Sequence, residues 1–459
     1  MKNFKYIGTK RFYKTVMLIA IPIMIQNGIT NFVSLLDNIM IGQTGTEAMS
    51  GVSIVNQILN VFNISIFGLV SGAGIFGAQF YGSNDEEGFK QSMRFKILSG
   101  LLASTLVIIL FLTKGRSLIS LFLHDGNTAM VDATMDAALD YLGIMIIQMI
   151  PFALVQAYSS SLRERGETIL PMIGSIVAVV VNMSLNYVLI FGKLSMPRLG
   201  VSGAAIATVI ARFVELLVIV LWTHLHKKHK AFTKGLYSSF KISLSLVKRI
   251  LITGTPLLLN EALWAGGMAV IMSGYSVRGL ETIAAFNIST TLSNVFNIVF
   301  IALGNAIAIM VGQLLGAKKF EEAKDNASKL IFFSTISCVV IGLLMMCFAP
   351  FFPLIYNTSD TVHSLATSFL IIASIFMPSY SFMNATYFTL RSGGKTLITF
   401  LFDSVFVWVV SIPLCFFLAK STSLPITSVY FLVQASELIK CAIGFVLVKK
   451  GVWVNNLTQ

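Results

Sequence analysis

The sequence predicts an all-α polytopic membrane protein with twelve transmembrane helices in two six-helix lobes. Three observations support this fold class: an apolar composition, apolar runs that are long enough to cross a bilayer, and an internal repeat. Of the 459 residues, 56% are hydrophobic and only 12% are charged, whereas about a quarter of the residues in a soluble domain are charged. This composition excludes a water-soluble enzyme, and we expect neither an enzymatic activity nor a cofactor.

The apolar runs define the individual helices, because a helix needs about 20 apolar residues to cross the hydrocarbon core. Twelve runs meet this length along the chain, and their even number places both termini on the same side of the membrane. The predicted spans are 15–39, 48–79, 95–112, 134–160, 168–191, 202–223, 250–274, 282–313, 328–349, 364–390, 397–419 and 425–447.

The internal repeat relates the two halves of the chain. The segment Asn60–Ile64 (NVFNI) recurs letter for letter as Asn294–Ile298, at a shift of 234 residues. The same shift relates Pro22 to Pro256, Gln79 to Gln313, and Gly82 to Gly316. Because six spans separate the copies, both halves have the same orientation, which is typical of transporters whose halves are related by a pseudo-twofold axis along the membrane normal.

The placement of basic residues predicts the topology and the boundary between the lobes. Most of the 33 lysines and arginines fall on one side of the predicted membrane, which the positive-inside rule identifies as cytoplasmic. We therefore expect both termini in the cytoplasm of a bacterium, and no nucleic-acid partner. The lobes are residues 1–223 and 250–459, joined by a basic linker, 224–249.

The linker itself allows two interpretations beyond a simple connection. Its end, Phe240–Val247, is predicted to lie as an amphipathic helix on the membrane surface. Its three histidines, His224, His226 and His229, are an alternative metal site, although their spacing is not a standard ligand spacing.

Three acids within predicted spans are the first candidates for function, because an intramembrane carboxylate is costly and usually marks an ion pathway or a proton relay. Asp37 lies near the end of span 1, Glu261 in span 7 and Asp403 in span 11. None has a basic partner three or four residues away on its own helix. Each could bind a proton or a monovalent cation, and the alternative for each is an acid that lies close enough to the interface to be hydrated.

Polar residues of spans 5 and 6 are further candidates. Asn182 and Asn186 lie one turn apart on one helix face, where they could give oxygens to an ion or bridge helices by hydrogen bonds. Thr208 follows the small residues Gly203–Ala205 in span 6. No firm metal site is predicted, and a monovalent cation at Asp37 with these three residues is the alternative.

Other charged residues within spans are predicted to be structural. Arg212 with Glu215, and Glu437 with Lys440, have the i, i+3 spacing of local ion pairs. The sequence Gly394–Thr396 (GKT) matches the end of a phosphate-binding loop, but Thr389 stands where that motif needs a glycine. ATP hydrolysis is therefore not expected.

Several motifs together resemble a known family of transporters. They are Ile21–Gln26 (IPIMIQ), Leu36–Gly42 (LDNIMIG), Ala78–Gly82 (AQFYG) and Leu162–Gly166 (LRERG). In their order and spacing they resemble the multidrug and toxic compound extrusion (MATE) family of secondary transporters, over essentially the whole chain. The resemblance implies a V-shaped pair of six-helix bundles that exports cationic, amphipathic compounds in exchange for sodium ions or protons.

The same resemblance implies roles for the candidate residues. Asp37 matches the family's acid in span 1, which is implicated in coupling, and Asn182, Asn186 and Thr208 match the polar residues near it. Some members have an aspartate where this chain has Asn186, which weakens the case for a purely proton-driven cycle. Glu261 occupies the role of a glutamate in span 7 of many members, and Asp403 resembles acids of related bacterial sequences.

These observations favour a multidrug exporter of the bacterial cytoplasmic membrane that acts as a monomer. Its partners would be membrane lipid and small cationic or amphipathic drugs, and its coupling ion would be sodium or a proton. The alternative is a flippase for a lipid-linked precursor or polysaccharide, although the mainly acidic intramembrane charges favour cationic cargo. An ion channel or a membrane-embedded enzyme is a third interpretation.

Overall fold

The structure is a computed structural model that describes residues 6–123, 128–226 and 230–458. All regular elements in these ranges are helices. In chain order the α-helices are α1 (Lys10–Gly42), α2 (Thr46–Gly82), α3 (Glu86–Ser120), α4 (Thr128–Met145), α5 (Met149–Glu164), α6 (Ile169–Phe191), α7 (Gly200–Leu225), α8 (Lys230–Thr233), α9 (Leu244–Ser276), α10 (Leu280–Gly316), α11 (Phe320–Phe348), α12 (Asp360–Ser392), α13 (Thr396–Phe400), α14 (Ile412–Ser421) and α15 (Ile426–Lys449).

The predicted all-α class with twelve spans is confirmed. Within the described ranges, twelve helical segments are long and apolar enough to cross a membrane. A 3₁₀ turn at Ile146–Gln148 joins α4 to α5 as one segment, and two π-helical stretches at Leu401–Val405 and Val407–Ser411 join α13 to α14 as another.

The helices extend beyond the apolar runs that predicted them. The third span was predicted over 95–112, but α3 begins at Glu86 and ends at Ser120. Its polar first turn is stabilised by Asp85, whose side chain accepts a hydrogen bond from the backbone N–H of Gly88 at 2.9 Å. Helix caps of this kind add polar turns that a hydropathy window does not detect.

The predicted amphipathic helix at the end of the linker is wrong in its first half. Helix α9 begins only at Leu244, and residues 240–243 are not helical. A side chain of α3 binds the backbone there. The Gln91 Oε1 atom accepts a hydrogen bond from the backbone N–H of Ser243 at 3.0 Å. Nearby, Arg94 donates to the carbonyl oxygens of Gly235 and Leu236, both at 2.9 Å. The linker is therefore packed on α3 along part of its length. Residues 227–229 lie outside the described residues.

The chain divides into two compact units. The first unit comprises Ile25–Gly77 and Asp85–Leu251, and the second comprises Ala78–Asn84, Ile252 onward and the N-terminal residues through Met24. Each unit has its own apolar core, one around Phe62, Tyr141 and Met149 and the other around Tyr275, Phe369 and Tyr430. Helix α2 contributes residues to both units. The lobe boundaries at 223 and 250 stay predictions.

Residues that the repeat relates to each other meet in the second unit. There the ends of α2 and α10 cross, and a glycine of each helix contacts a glutamine of the other. A Cβ atom added to Gly82 would lie 1.9 Å from the carbonyl oxygen of Gln313, and one added to Gly316 would lie 1.9 Å from that of Gln79. The shift of 234 residues relates the two glutamines to each other and the two glycines to each other. Glycine at both positions lets the two backbones touch.

We expect Gly82→Ala to destabilise the protein by about 2 kcal/mol, because the added methyl group overlaps the backbone of α10 and forces the helices apart. The matched control is Gly143→Ala in α4, where an added Cβ atom meets no other atom within 4 Å. Thermal unfolding in detergent measures both variants. Equal melting temperatures for the two would show that the close contact is not required.

Candidate functional site

A line of four polar side chains connects α1, α6 and α7 in the first unit. The Nδ2 atom of Asn186 donates to Asp37 Oδ1 at 2.7 Å and lies 3.1 Å from Asn182 Oδ1. Asn182 Nδ2 in turn donates to Thr208 Oγ1 at 3.2 Å. The structure therefore brings together the four residues that the sequence selected for this lobe. Two of them, Asn182 and Asn186, lie on the same face of α6 and are buried there.

The charge of this cluster is not balanced by a neighbouring cation. Among the ion pairs of the described residues none includes Asp37, and the acid accepts its one described hydrogen bond from a neutral amide. The Oδ1 atom of Asn186 is buried and has no hydrogen-bond partner in the described part of the chain. A buried acceptor without a donor is costly. A cation beside Asp37 would balance the charge of the carboxylate.

The second unit holds a different cluster, in which the acid is already paired. Asp403 accepts from Asn260 Nδ2 at 3.1 Å and forms an ion pair with Lys440 Nζ at 3.4 Å. Lys440 also contacts Glu437 at 2.7 Å, and Ser411 donates to Glu437 at 2.9 Å. The predicted i, i+3 pair of Glu437 and Lys440 is thus present. Asp403 has no basic partner on its own helix, as the sequence indicated, but it is paired with Lys440 of α15.

Glu261 lies close to this cluster without joining it. No hydrogen bond or ion pair of Glu261 occurs among the described residues, although the charges of Arg391 and Asp403 both act on it. Arg391 lies in the last turn of α12, where it is buried, with its guanidinium 5.3 Å from the ring centre of Phe388. The sequence paired Lys440 with Glu437 but did not place it beside Asp403.

The backbone around Asp403 is also irregular, which the sequence did not predict. Asp403 lies in the π-helical stretch Leu401–Val405, between α13 and α14. Ser404 donates its hydroxyl to the backbone oxygen of Asn260 at 2.7 Å, and Trp408 Nε1 donates to the backbone oxygen of Leu263 at 2.9 Å. Such π-helical turns are rare and often occur at functional sites. Here the irregular helix is fixed to α9 beside the acid.

We expect Lys440→Met to destabilise the protein by about 3 kcal/mol, because it leaves Asp403 and Glu437 close together without their cation. The matched control is Lys324→Met. Lys324 forms an i, i+3 pair with Glu321 at 2.7 Å, but this pair is exposed, so we expect a change below about 0.5 kcal/mol. Chemical denaturation in detergent gives both values. A small loss at Lys440, similar to the control, would mean that the pair is not buried as described.

A third polar cluster, which the sequence analysis missed, joins α3 to α5. Lys96 Nζ lies 2.5 and 2.6 Å from the two carboxylate oxygens of Glu164 and 3.1 Å from Ser161 Oγ. Both members of this ion pair are buried. A Cβ atom added to Gly77 of α2 would lie 2.0 Å from the Glu164 carboxylate. Glycine at this position therefore allows the acid to pack against α2.

The predicted Arg212–Glu215 pair forms part of a longer network. The two side chains meet at 2.5 Å, and Ser175 donates to Glu215 at 2.8 Å. Gln26 links this serine to Arg163, with contacts of 2.7 and 2.6 Å. The network ties α1, α5, α6 and α7 together and supports the structural interpretation of the pair.

The alternative metal site of the linker is not supported. His224 is bonded through Nε2 to the hydroxyl of Tyr158 at 2.8 Å, and His226 stacks on Trp222. His229 lies outside the described residues. In the part of the chain that the structure describes, no group of three or more His, Cys, Asp or Glu side chains is arranged to hold a metal ion.

The family assignment follows from a comparison with known proteins. The family model MatE matches residues 22–188 and 256–417, which is most of the chain and covers both copies of the repeat. The chain belongs to the MatE family. It is thus a MATE-family transporter and a multi-pass membrane protein, as its motifs predicted.

Individual relatives of this MATE-family chain agree with the assignment. It is 25% identical over 426 residues to the probable multidrug resistance protein YoeA of Bacillus subtilis, covering 91% of this chain and 89% of the relative. It is 24% identical over 452 residues to the probable multidrug resistance protein NorM of Thermotoga maritima, covering 96% and 93%.

Solved structures share the fold of the chain. An outward-facing multidrug resistance MATE family transporter of the MOP superfamily matches with a TM-score of 0.87, at 19% identity, with 96% of both chains covered. The Vibrio cholerae MATE transporter VcmN also matches with a TM-score of 0.87, at 18% identity, with 97% and 98% covered.

Proposed function

We propose that the protein is a secondary active exporter that exchanges cationic or amphipathic compounds for sodium ions or protons. The observation that carries the proposal is the Asp37 cluster. A carboxylate without a cationic partner in the described residues lies within a membrane span, next to a buried amide oxygen that lacks a donor. A site of this kind can take up and release a cation, which an ion-driven transporter requires.

The second unit fits a different role. Its acids Asp403 and Glu437 share the cation Lys440, whereas Glu261 has no ion pair among the described residues. We therefore propose that the coupling ion binds at Asp37 and that the remaining negative charge of the second unit favours cationic cargo. The MATE-family relatives carry multidrug resistance names, which supports cargo of this class.

The proposed orientation places both termini in the cytoplasm of a bacterium. Twelve crossings put the two ends of the chain on one side, and most of the lysines and arginines fall on that side. Cytoplasmic loops carry such an excess.

The proposal is tested by transport of a fluorescent cation in proteoliposomes with imposed gradients. We expect the fluorescent cation to move in the direction opposite to the sodium ions or protons that flow down the imposed gradient. We expect no transport when both gradients are collapsed. A transport rate that depends on neither gradient would contradict ion-coupled exchange. Movement of a fluorescent lipid-linked substrate, without any movement of the cation, would favour a flippase.

A further inference from the structure

The segment that follows α15, Trp453–Thr458, is packed against the ends of several helices in the second unit. Trp453 is buried, and its indole Nε1 donates to the backbone oxygen of Val448 at 3.2 Å. The backbone of Trp453 lies on Gly393, where an added Cβ atom would be 1.7 Å from the Trp453 carbonyl oxygen. We name residues 453–458 the tail segment.

Gln79, in the last turn but one of α2, holds the tail segment by its main chain. Its side chain is completely buried. The amide Nε2 atom donates to the backbone oxygen of Asn455 at 3.2 Å and to that of Ser392 at 2.9 Å. The amide oxygen accepts from the backbone N–H of Leu457 at 2.6 Å. The side-chain amide of Gln79 therefore forms two hydrogen bonds with the tail segment and one with the end of α12.

Asn456 connects the same segment to the end of α10. Its Nδ2 atom donates to the backbone oxygens of Leu315 and Gly316, at 2.8 and 3.0 Å. Carbonyl groups in the last turn of a helix lack their usual intrahelical partner, so Asn456 acts as a cap. Gln79 and Asn456 thus act at the ends of α2 and α10, the same two helix ends that cross at Gly82 and Gly316. The tail segment thus fastens the point where the two copies of the repeat touch.

We propose that the tail segment is a strap that holds the ends of α2 and α10 together, with Gln79 as its positioning residue, and that it is released when these ends separate during transport. The inference rests on the proposed function, because alternating access moves one repeat against the other. The contacts suit a reversible strap. They are mainly hydrogen bonds, each of which contributes only about 1 kcal/mol net, since water can replace the partner on opening.

The test measures the exposure of the α2–α10 crossing directly. Leu315 is completely buried in the last turn of α10, so Leu315→Cys provides a reporter for maleimide labelling in lipid nanodiscs. Cys347, Cys415 and Cys441 are replaced, and buried Cys338 is retained as an internal reference. We expect Gln79→Met and Asn456→Leu each to accelerate labelling at position 315 by about fivefold to tenfold, without a change at Cys338.

The matched control is Asn455→Leu. It removes the same type of side chain from the adjacent position, where the amide makes one long hydrogen bond of 3.4 Å to Gly393, but it leaves the backbone oxygen that Gln79 binds. We expect labelling within about twofold of the parent protein. The proposal is overturned if Gln79→Met and Asn456→Leu leave the labelling rate unchanged, or if Cys338 accelerates equally, since that would show general loosening.

The labelling measurement requires no transport, so the two proposals can fail separately. Faster labelling in the strap variants of a protein that moves no cation would contradict the exchanger but retain the strap. Unchanged labelling in a protein with normal ion-driven transport would contradict the strap alone.

Discussion

Replacement of Asp37 by asparagine is expected to abolish ion-driven transport while the protein stays folded. Asparagine has nearly the same shape, and its Oδ1 atom can still accept the hydrogen bond that Asn186 donates at 2.7 Å. It can neither bind a proton nor attract a cation by charge, and a carboxylate–cation contact near 4 Å is worth about 4 kcal/mol at a protein-like dielectric. We therefore expect the initial rate of ion-driven transport in proteoliposomes to fall at least about tenfold.

The matched control is Asp140→Asn in α4, an exposed aspartate outside the cluster. It removes the same charge from the first unit, and we expect transport at close to the normal rate. Normal ion-driven transport in Asp37→Asn, with the gradient dependence of the parent protein, would remove Asp37 from the mechanism.

Replacement of Lys96 by methionine is expected to have a large effect on stability. Methionine fills a similar volume, but it leaves the buried Glu164 carboxylate without the ammonium group that contacts both of its oxygens. Removing one partner of a buried ion pair costs about 3–5 kcal/mol. The charge of Arg163 acts across the same region and offsets part of this cost, so we expect a loss of about 3 kcal/mol in chemical denaturation.

The double variant Lys96→Met/Glu164→Gln separates the ion pair from packing. It removes the isolated charge, so we expect it to recover at least half of the loss, because a neutral pair of similar volume can replace a buried ion pair at little cost. A double variant that is less stable than Lys96→Met would show that the side chains matter through their shape or through contacts other than their mutual attraction.

Much of the fold could be predicted from the sequence because each helix had to be apolar over about 20 residues. The same reasoning failed at the helix ends. Polar turns such as Glu86–Phe89 continue a helix outside the hydrocarbon, where capping by Asp85 rather than hydropathy decides the boundary. Residues 240–243 show the opposite error: their pattern suggested a helix, but the backbone N–H of Ser243 instead donates a hydrogen bond to Gln91 of α3.

The candidate site was predictable to the extent that its residues share a helix face. Asn182 and Asn186 are one turn apart, so a contact of one with Asp37 brings the other close. The partner of Asp403 was not predictable in this way. Lys440 lies on a different helix from Asp403, and single-chain periodicity carries no information about which helices pack together. A lysine within a span, such as Lys440, was nevertheless a signal that a second acid lay nearby.

The same limit applies to Lys96. It stands at the start of the predicted apolar run 95–112. Its side chain is completely buried against Glu164, which lies on another helix. The glycines of α2 are a partial signal, because the run Gly68–Gly74 is rich in small residues that allow close helix packing. What packs there is a carboxylate, which no pattern within α2 indicates.

A cation bound at Asp37 is expected to oppose the binding of cationic cargo, and equilibrium binding measures this coupling directly. Affinity of the purified protein for tetraphenylphosphonium is measured in nanodiscs over a range of sodium concentration and of pH. Because coupling between two sites is reciprocal, we expect sodium or protons to weaken binding to the parent protein about tenfold and to have no effect on Asp37→Asn. An Asp37→Asn variant that retains the ion dependence of the parent protein would contradict the account.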